Sequence, residues 1–156
     1  MKLLTTAQSS HNSPRSLRTS GAIPFMLAAL LCLAVAAPSA QSDETGDAIQ
    51  NVILSQIEAF ANDDKETAWG FASDGIKRQT GSVDTFYDMV RLSYVPVYQA
   101  SSIEFMERIP HDGFQVQVVR LLGPEGKRWR AVYRMVQNDG EWRIGGVALN
   151  EAPKTI

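Results

Sequence analysis

The side chains best suited to line a binding site are aromatic, amide and guanidinium groups spread over the second and last thirds of the chain. The pocket candidates are Gln56, Trp69, Arg78, Tyr87, Tyr94, Tyr98 and Trp142. Apolar walls with a few polar groups are typical of small-molecule sites, because the polar groups fix the orientation of the ligand. The pattern predicts binding of a small apolar or aromatic ligand, oriented by Gln56 and Arg78. The alternative is an ordinary aromatic core, with Arg78 paired to an aspartate.

Residues for acid–base or metal chemistry are scarce. The chain has one cysteine, Cys32, inside an apolar run, and its second histidine, His111, lies in a Pro-His-Asp-Gly turn. Such an isolated histidine predicts a solvated turn rather than a metal ligand, and we expect no metal and no cofactor. A non-enzymatic binding or accessory domain is therefore the leading hypothesis. The alternative is a pocket enzyme of the isomerase, dehydratase or hydrolase type, with tyrosines and Glu104 as acid–base groups.

A stripe of alternating arginine and valine residues near the end of the chain predicts a protein interface. The interface candidates are Arg130, Val132, Arg134, Val136, Arg143 and Val147. Such a face is too apolar for free surface and too charged for a core, so it predicts a homodimer through the outer face of a sheet. The alternative is a solvated face on which long arginine side chains cover the valines.

The first forty residues have the polarity of a secretory signal peptide. They contain Lys2, Arg15 and Arg18 but no acid, then an apolar run over residues 22–37, then small residues up to Ala40. This order predicts an exported protein, periplasmic or secreted, with residues 1–40 removed and a short flexible lead-in over 41–47. An uncleaved N-terminal membrane anchor is the alternative, although the run is shorter than the roughly 20 residues that span a bilayer.

The charge balance of the remaining chain argues against nucleic acid as a partner. Residues 41–156 carry 12 basic and 17 acidic side chains, which is a net charge of −5. Nucleic acids and anionic membranes both favour basic surfaces, so neither is an expected partner, and we expect no stable membrane insertion after cleavage.

Three helices are predicted in the first half of the domain. The first carries an apolar stripe at helical spacing, formed by Ile49, Val52, Ile53, Ile57 and Phe60. The second covers residues 65–72 and is expected to stop near Gly75, because glycine readily takes the left-handed conformation that ends helices. Asp64 and Ser82 are expected to cap the second and third helices, and the third ends before Pro96.

Four antiparallel strands are predicted in the second half, at residues 102–109, 114–122, 128–137 and 142–149. We expect Gly123 to pair with Gly126, and Asn138 with Glu141 across the Asp139-Gly140 turn. This register predicts a face covered by helices, composed of Phe114, Val116, Val118, Trp129, Ala131, Tyr133, Met135, Trp142 and Ile144. The outer face would then contain Gln115, Gln117, Val119, Leu121, Arg128, Arg130, Val132, Arg134, Val136, Arg143, Val147 and Leu149.

Several segments resemble the DUF4864 family of small exported bacterial proteins over about residues 48–150, with 151–156 as a disordered tail. They include Gln56-Ile57-Glu58-Ala59-Phe60, Ala68-Trp69-Gly70-Phe71-Ala72-Ser73, Tyr94-Val95-Pro96-Val97-Tyr98 and Gly140-Glu141-Trp142-Arg143-Ile144. The resemblance implies an α+β, cone-shaped fold of the nuclear-transport-factor-2-like (NTF2-like, SnoaL-like or ketosteroid-isomerase-like) superfamily, with three helices on a curved four-stranded antiparallel sheet. It also implies that sheet-backed dimers are frequent. Enzymes of this superfamily place an Asp or His base on the concave sheet face, where this sequence predicts neither.

Overall fold

The computed structural model describes residues 43–152, so the predicted signal peptide and residues 153–156 lie outside the described part. Five helices precede four strands. The helices are α1 Glu44–Ala61, α2 Lys65–Gly70, α3 Asp74–Thr80, α4 Val83–Ser93 and α5 Val95–Tyr98. The strands are β1 Ser102–His111, β2 Phe114–Leu122, β3 Arg128–Asn138 and β4 Glu141–Glu151. None of the helices within residues 43–152 is long and apolar enough to cross a membrane. The α+β class and the four strands are thus confirmed.

Short polar side chains begin four of the helices by accepting hydrogen bonds from free backbone N–H groups. Asp64 accepts from Thr67 N at 3.0 Å, and Ser82 accepts from Thr85 N at 3.1 Å, which confirms both predicted caps. Asp43 caps α1, which begins at Glu44, inside the segment expected to be a lead-in.

The prediction of three helices was wrong, because two short helices were missed. Gly75 does not end α2 but lies in the first turn of α3, where the Ser73 hydroxyl caps Ile76 N at 3.3 Å. Pro96 lies at the start of α5, a position where its missing N–H is harmless. The helical half of the protein is therefore more segmented than its apolar stripes indicate.

The four strands form one antiparallel sheet in the order β1-β2-β3-β4. Asn138 pairs with Glu141, and Asp139 and Gly140 have φ values of 51° and 82°, which confirms that hairpin. The predicted β2–β3 register was wrong by one residue: Leu122 pairs with Arg128 because residues 123–127 form a longer loop with a 3-10 turn.

The shift in register turns every β2 side chain to the opposite face. Val119, Leu121 and Gln117 are therefore buried beside Ala131 and Tyr133, on the side that the helices cover. Residues predicted to be inside move to the outer face, namely Phe114, Val116 and Val118, and residues predicted to be outside move inward, namely Gln115, Gln117, Val119 and Leu121.

A β-bulge in β4 makes a second correction. Ile144 pairs with Met135, but the next pair is Gly146 with Arg134, so β4 has one extra residue there. Beyond this bulge Val147 and Leu149 lie opposite Tyr133 and Ala131 and pack against the core, not on the outer face.

The core lies between α1 and the sheet. Ile49, Ile53 and Phe60 of α1 are at most 2 % exposed. They belong to one cluster with the inward side chains Val119, Leu121, Ala131, Tyr133, Met135 and Ile144. The opposite face of the sheet is not covered by any helix among residues 43–152.

Candidate functional site

A cavity of about 190 Å³ lies between the helices and the bulged part of β4. Its walls come from α1, α3, α4, α5 and β4, so the segments around it are distant in sequence. The apolar lining residues are Phe60, Ile76, Phe86, Met89, Val90, Val97, Ile144 and Val147. The remaining lining residues are Gln56, Gln79, Thr80, Tyr94, Gly145 and Gly146. Gln79 is exposed on α3, so the cavity opens to solvent beside that helix.

Gln56 supplies a polar group from within the apolar stripe of α1. It is 4 % exposed, and its Nε2 donates a hydrogen bond of 3.0 Å to Ala68 O in α2. Within residues 43–152, its Oε1 receives no hydrogen bond. Because Gln56 lines the cavity and this oxygen has no partner among those residues, it is available to a donor on a bound molecule.

The β4 bulge builds one wall of the cavity from backbone. A side chain at position 145 would place its Cβ 3.1 Å from Val136 Cγ1 and 3.3 Å from Arg134 Nη1, so Val136 and Arg134 would have to shift by a few tenths of an ångström to accept it. The same bulge turns Val147 toward the cavity. The extra residue in this Gly-Gly pair reverses the face of the residues that follow it.

The cavity offers binding groups rather than acid–base groups. Its lining residues include no Asp, Glu, His or Lys. Its Thr80 hydroxyl already donates to Ile76 O at 2.9 Å. Glu104, an acid–base candidate in the enzyme hypothesis, lies on the outer face in a 2.6 Å ion pair with Arg120. The usual general bases are therefore missing from these walls.

On β3, the Tyr133 hydroxyl oxygen is the one buried side-chain polar atom among the described residues that has no hydrogen-bond partner. It stands opposite Val147, a cavity residue, and burial raises the pKa of its hydroxyl. The group is therefore a neutral phenol in the folded protein.

Two of the predicted pocket tyrosines form a separate cluster with an aspartate. The Tyr87 and Tyr98 hydroxyls donate to the same Asp63 oxygen at 2.8 Å and 2.5 Å. The hydrogen bond from Tyr98, and to a smaller extent the one from Tyr87, holds the pKa of Asp63 below its ordinary value. Burial raises the pKa of Tyr87. Asp63 has a φ of 56°, an uncommon backbone conformation for a residue other than glycine. The cluster ties the α1–α2 turn to α4 and α5, so its hydroxyls are already committed.

Comparison with known proteins adds a family. The family model for "Domain of unknown function (DUF4864)" matches residues 42–156. The chain belongs to the DUF4864 family. A search of curated proteins gives no significant match.

Among solved structures, the DUF4864 chain is similar to a DUF4783 family protein from Bacteroides ovatus ATCC 8483, known from a crystal structure at 1.40 Å resolution. The TM-score is 0.45 and the identity 10 %, with 64 % of this chain and 94 % of that one covered. A likeness of this size carries no argument about the function of the DUF4864 protein.

Two of the seven predicted pocket residues, Gln56 and Tyr94, line the cavity of the DUF4864 domain. Trp69 instead packs edge-on against Phe86, with ring centroids 5.3 Å apart. Trp142 is half-buried at the edge of the core, and Arg78 is exposed on α3. Together with Tyr87 and Tyr98, these residues are outside the cavity lining.

Sequence reasoning missed the contribution of α3 and of the bulge. Ile76, Gln79 and Thr80 line the cavity from a helix that was not predicted, because Gly75 was interpreted as a helix stop. The one signal for the β4 wall was the Gly145-Gly146 pair, since glycine inside a strand often marks a bulge.

The outer sheet face of the DUF4864 domain holds five of the six interface candidates, Arg130, Val132, Arg134, Val136 and Arg143. Arg130 pairs with Glu107 at 3.2 Å, and Arg143 pairs with Glu141. Arg134 instead lies 4.7 Å over the ring of Phe114. Most of the positive charge of this face is thus locally balanced, and the sixth candidate, Val147, lines the cavity on the other side of the sheet.

Proposed function

We propose that this DUF4864 domain is a non-enzymatic binding domain whose cavity takes a small apolar group bearing one hydrogen-bond donor. The observation that carries the proposal is Gln56, a buried amide with an available oxygen in a cavity of about 190 Å³ whose walls are mainly apolar. An apolar cavity of about 150 Å³ is large enough for benzene. An aromatic alcohol such as phenol therefore matches both the volume and the acceptor.

The lining chemistry favours binding over catalysis. Isomerases, dehydratases and hydrolases need a group that takes or gives a proton in the reaction, and this is usually His, Asp, Glu or Lys. None of these lines the cavity, and Tyr94 is its single titratable side chain. The pocket-enzyme alternative would therefore depend on a tyrosine alone.

Titration of the ¹⁵N-labelled protein with phenol tests this function by NMR. At about 0.6 kcal/mol per non-hydrogen atom, phenol has an expected Kd of about 1 mM. Val147→Phe fills the cavity and should abolish binding, whereas Val132→Phe on the outer face should leave it unchanged. Gln56→Leu should weaken phenol about five-fold but change toluene, which lacks the donor, by less than about two-fold.

Two outcomes would contradict the small-ligand proposal. The first is that phenol at about 10 mM, ten times the expected Kd, shifts no NMR resonance of Ile144 or Val147. Alternatively, Val147→Phe and Val132→Phe would bind phenol equally well, which would place the site elsewhere.

The N-terminal segment supports a proposal about location. Residues 1–40 combine basic residues, an apolar run and small residues in the order that secretory signals use, so the domain is proposed to be exported and released. Mass spectrometry of the N-terminus of the native protein tests this: an intact Met1 in the membrane fraction would indicate an anchor instead.

The outer face supports a second proposal, a homodimer. Ile109 is 42 % exposed beside Val116, and the Arg120–Glu104 and Arg130–Glu107 pairs on the same face leave little unbalanced charge to oppose a second copy. In the NTF2-like superfamily, to which we propose that the domain belongs, such dimers are frequent. Light scattering tests the dimer, since Val132→Glu should produce monomers. An unmutated protein that is already monomeric would exclude it.

A further inference from the structure

The outer edge of β4 changes character half-way along the strand. Its first half is covered, because Ile144 N donates to Phe71 O and Ile144 O accepts from Ser73 N, both at 2.9 Å. Since Ile144 directs both groups away from β3, Ile144 and Met135 form a non-hydrogen-bonded pair. Every second pair between β3 and β4 is then also a non-hydrogen-bonded pair. Val147 and Leu149 are thus the next residues whose N–H and C=O point outward. Within residues 43–152, these four groups have no hydrogen-bond partner.

Among the described residues, this second half of the edge up to Asn150 lacks charged side chains, proline and a covering segment, and its one protective feature is the bulge that precedes it. From Ile144 to Asn150, β4 contains no charged residue and no proline. Natural sheets commonly protect an exposed edge with charged side chains, proline or a covering segment. The bulge at Gly145 and Gly146 precedes the free groups and leaves the strand beyond it regular.

The free edge and the cavity share a border. Val147 lines the cavity with its side chain while its backbone N–H and C=O point to the edge. The segment 71–73 leaves the edge at Asp74, where α3 begins, and α3 lines the cavity with Ile76, Gln79 and Thr80, the exposed Gln79 marking its mouth. An added strand at Val147 and Leu149 would therefore run along this mouth.

We propose that the edge of β4 at Val147 and Leu149 binds an extended segment of a partner protein, which adds a fifth strand and inserts one side chain into the cavity. The proposal rests on the proposed function, because the same cavity takes the anchor. Tyrosine is the anchor that fits best, since its side chain is a phenol and its hydroxyl can donate to Gln56 Oε1. Backbone bonds would supply general affinity and the cavity would select the anchor.

A peptide fits the edge better than a second copy of this chain. In an edge-to-edge dimer, β4 of the second copy would keep Val147 and Leu149 in its own core, as they lie here. It would then have no inward side chain to offer, and the cavity would stay empty. Only a segment with a free side chain on the helix-covered face satisfies both the backbone groups and the cavity.

The test uses the acetylated, amidated peptide Lys-Thr-Val-Thr-Tyr-Thr-Val-Thr-Lys and two N-methylated versions. One version carries methyl groups on the Val and Tyr nitrogens, the other on the Thr nitrogens. Because alternate N–H groups of a strand point to the same side, one version should lose more than about ten-fold in affinity and the other should bind like the parent. The amides of Val147 and Leu149 should shift in the NMR spectrum and become protected from exchange.

A matched pair of variants tests the protein side. Leu149→Pro removes an outward N–H without touching the β3 ladder, whereas Leu149→Ala loses similar packing but keeps the N–H. Peptide binding should fall more than about ten-fold in the proline variant relative to the alanine variant, and phenol binding should be equal in both. If the proline variant does not fold, the N-methylated peptides still decide.

Three outcomes would overturn strand addition. The first is that the parent peptide does not bind although phenol does, in which case the proposed function still holds. The second is that both N-methylated versions bind like the parent, which would mean that the side chain alone, and not backbone pairing, gives the affinity. The free protein would already be a dimer with Val147 and Leu149 amides protected, so that a second copy occupies the edge. Failure of phenol as well would instead remove the cavity function.

Discussion

The two edge strands of the sheet, β1 and β4, differ in the features that protect them from pairing with another strand. In β1, Pro110 lacks an N–H, the register shifts between Phe105 and Arg108, and Glu104, Glu107 and Arg108 place charges along the strand. In β4, the segment 71–73 covers Ile144, and the residues from Gly145 to Asn150 have no charge or proline. Edge protection suppresses unwanted strand pairing. Charges and a proline thus protect β1, whereas the end of β4 from Val147 to Asn150 has neither and differs in how readily it could accept another strand.

Each edge strand also contains a bulge, but the two bulges have different consequences. The bulge in β1 places Arg108 where it bonds Asp43 at the start of α1 and Gln115 of β2, at 2.8 Å for the latter. The bulge in β4 instead turns Val147 into the cavity wall. The β1 bulge thus ties the start of α1 to the sheet, while the β4 bulge forms part of the cavity wall.

Amide hydrogen exchange gives the largest expected effect. Ile144 N–H is bonded to Phe71 O, whereas the Val147 and Leu149 N–H groups have no partner among the described residues. The Ile144 amide should therefore exchange at least about a thousand-fold more slowly than those of Val147 and Leu149 in the free protein. NMR-detected exchange measures this directly. Equal protection of all three amides would show that the second half of the edge is already covered.

The strands were predictable because their signals are local. Period-two alternation and turn residues locate all four, and Asp139-Gly140 sets one hairpin register, because both residues take positive φ there. The Gly123–Lys127 loop was not determined in this way. Two glycines around a proline fit either a two-residue turn or the longer loop, and that one-residue difference reverses every side chain of β2.

The cavity was only partly predictable, because its walls depend on non-local geometry. Gln56 could be identified, since a polar side chain within the apolar stripe of a helix needs a partner inside the protein. Val147 could not, because alternation continued from Trp142 places it on the outer face unless the bulge is known. Aromatic composition pointed to Tyr87 and Tyr98, but it contains no information that Asp63 occupies both hydroxyls.

A pair of glycine substitutions tests the β4 bulge next. In Gly145→Ala, the new Cβ meets Val136 Cγ1 at 3.1 Å and Arg134 O at 3.3 Å, so the free energy of unfolding should fall by about 1–3 kcal/mol. Gly146→Ala is the control: its Cβ meets nothing within 4 Å and needs no positive φ, so the change should stay within about 1 kcal/mol. Urea unfolding measures both. If the two variants are equally stable, the bulge does not lie where the register places it.

The two central strands each carry a buried polar side chain, and these two neighbouring side chains differ in their hydrogen bonds. Toward β1, Gln117 Nε2 donates to Met106 O at 3.1 Å and to Val118 O at 2.9 Å. On β3, directly opposite Gln117, the buried Tyr133 hydroxyl has no partner among residues 43–152. A buried polar group without a partner is destabilising, so Gln117 is better satisfied than Tyr133.

Replacing the unpaired hydroxyl should therefore stabilise the protein. Tyr133→Phe is expected to raise the free energy of unfolding by about 1 kcal/mol, because it removes the desolvated group and keeps the ring. Tyr87→Phe is the matched control, since it loses a 2.8 Å bond to Asp63 and should be destabilised by about 0.5–1.5 kcal/mol. Thermal and urea unfolding would measure both. A destabilised Tyr133→Phe would reveal a partner for that hydroxyl, such as an ordered water.

Acid should weaken the β1 edge and leave the β4 edge unchanged, which is the smallest expected effect. The hydrogen bond from Arg108 holds the pKa of Asp43 below its ordinary value of 3.8, whereas the segment 144–150 of β4 has no titratable side chain. Because the folded-state pKa is the lower one, this stabilisation is complete above 3.8 and is lost as the pH falls through the folded value. Asp43→Asn keeps an N-cap but removes the titration, so its urea midpoint should fall less steeply with acid than that of the unmutated protein. An unchanged acid slope in Asp43→Asn would mean that the Arg108 contact does not hold α1 to β1.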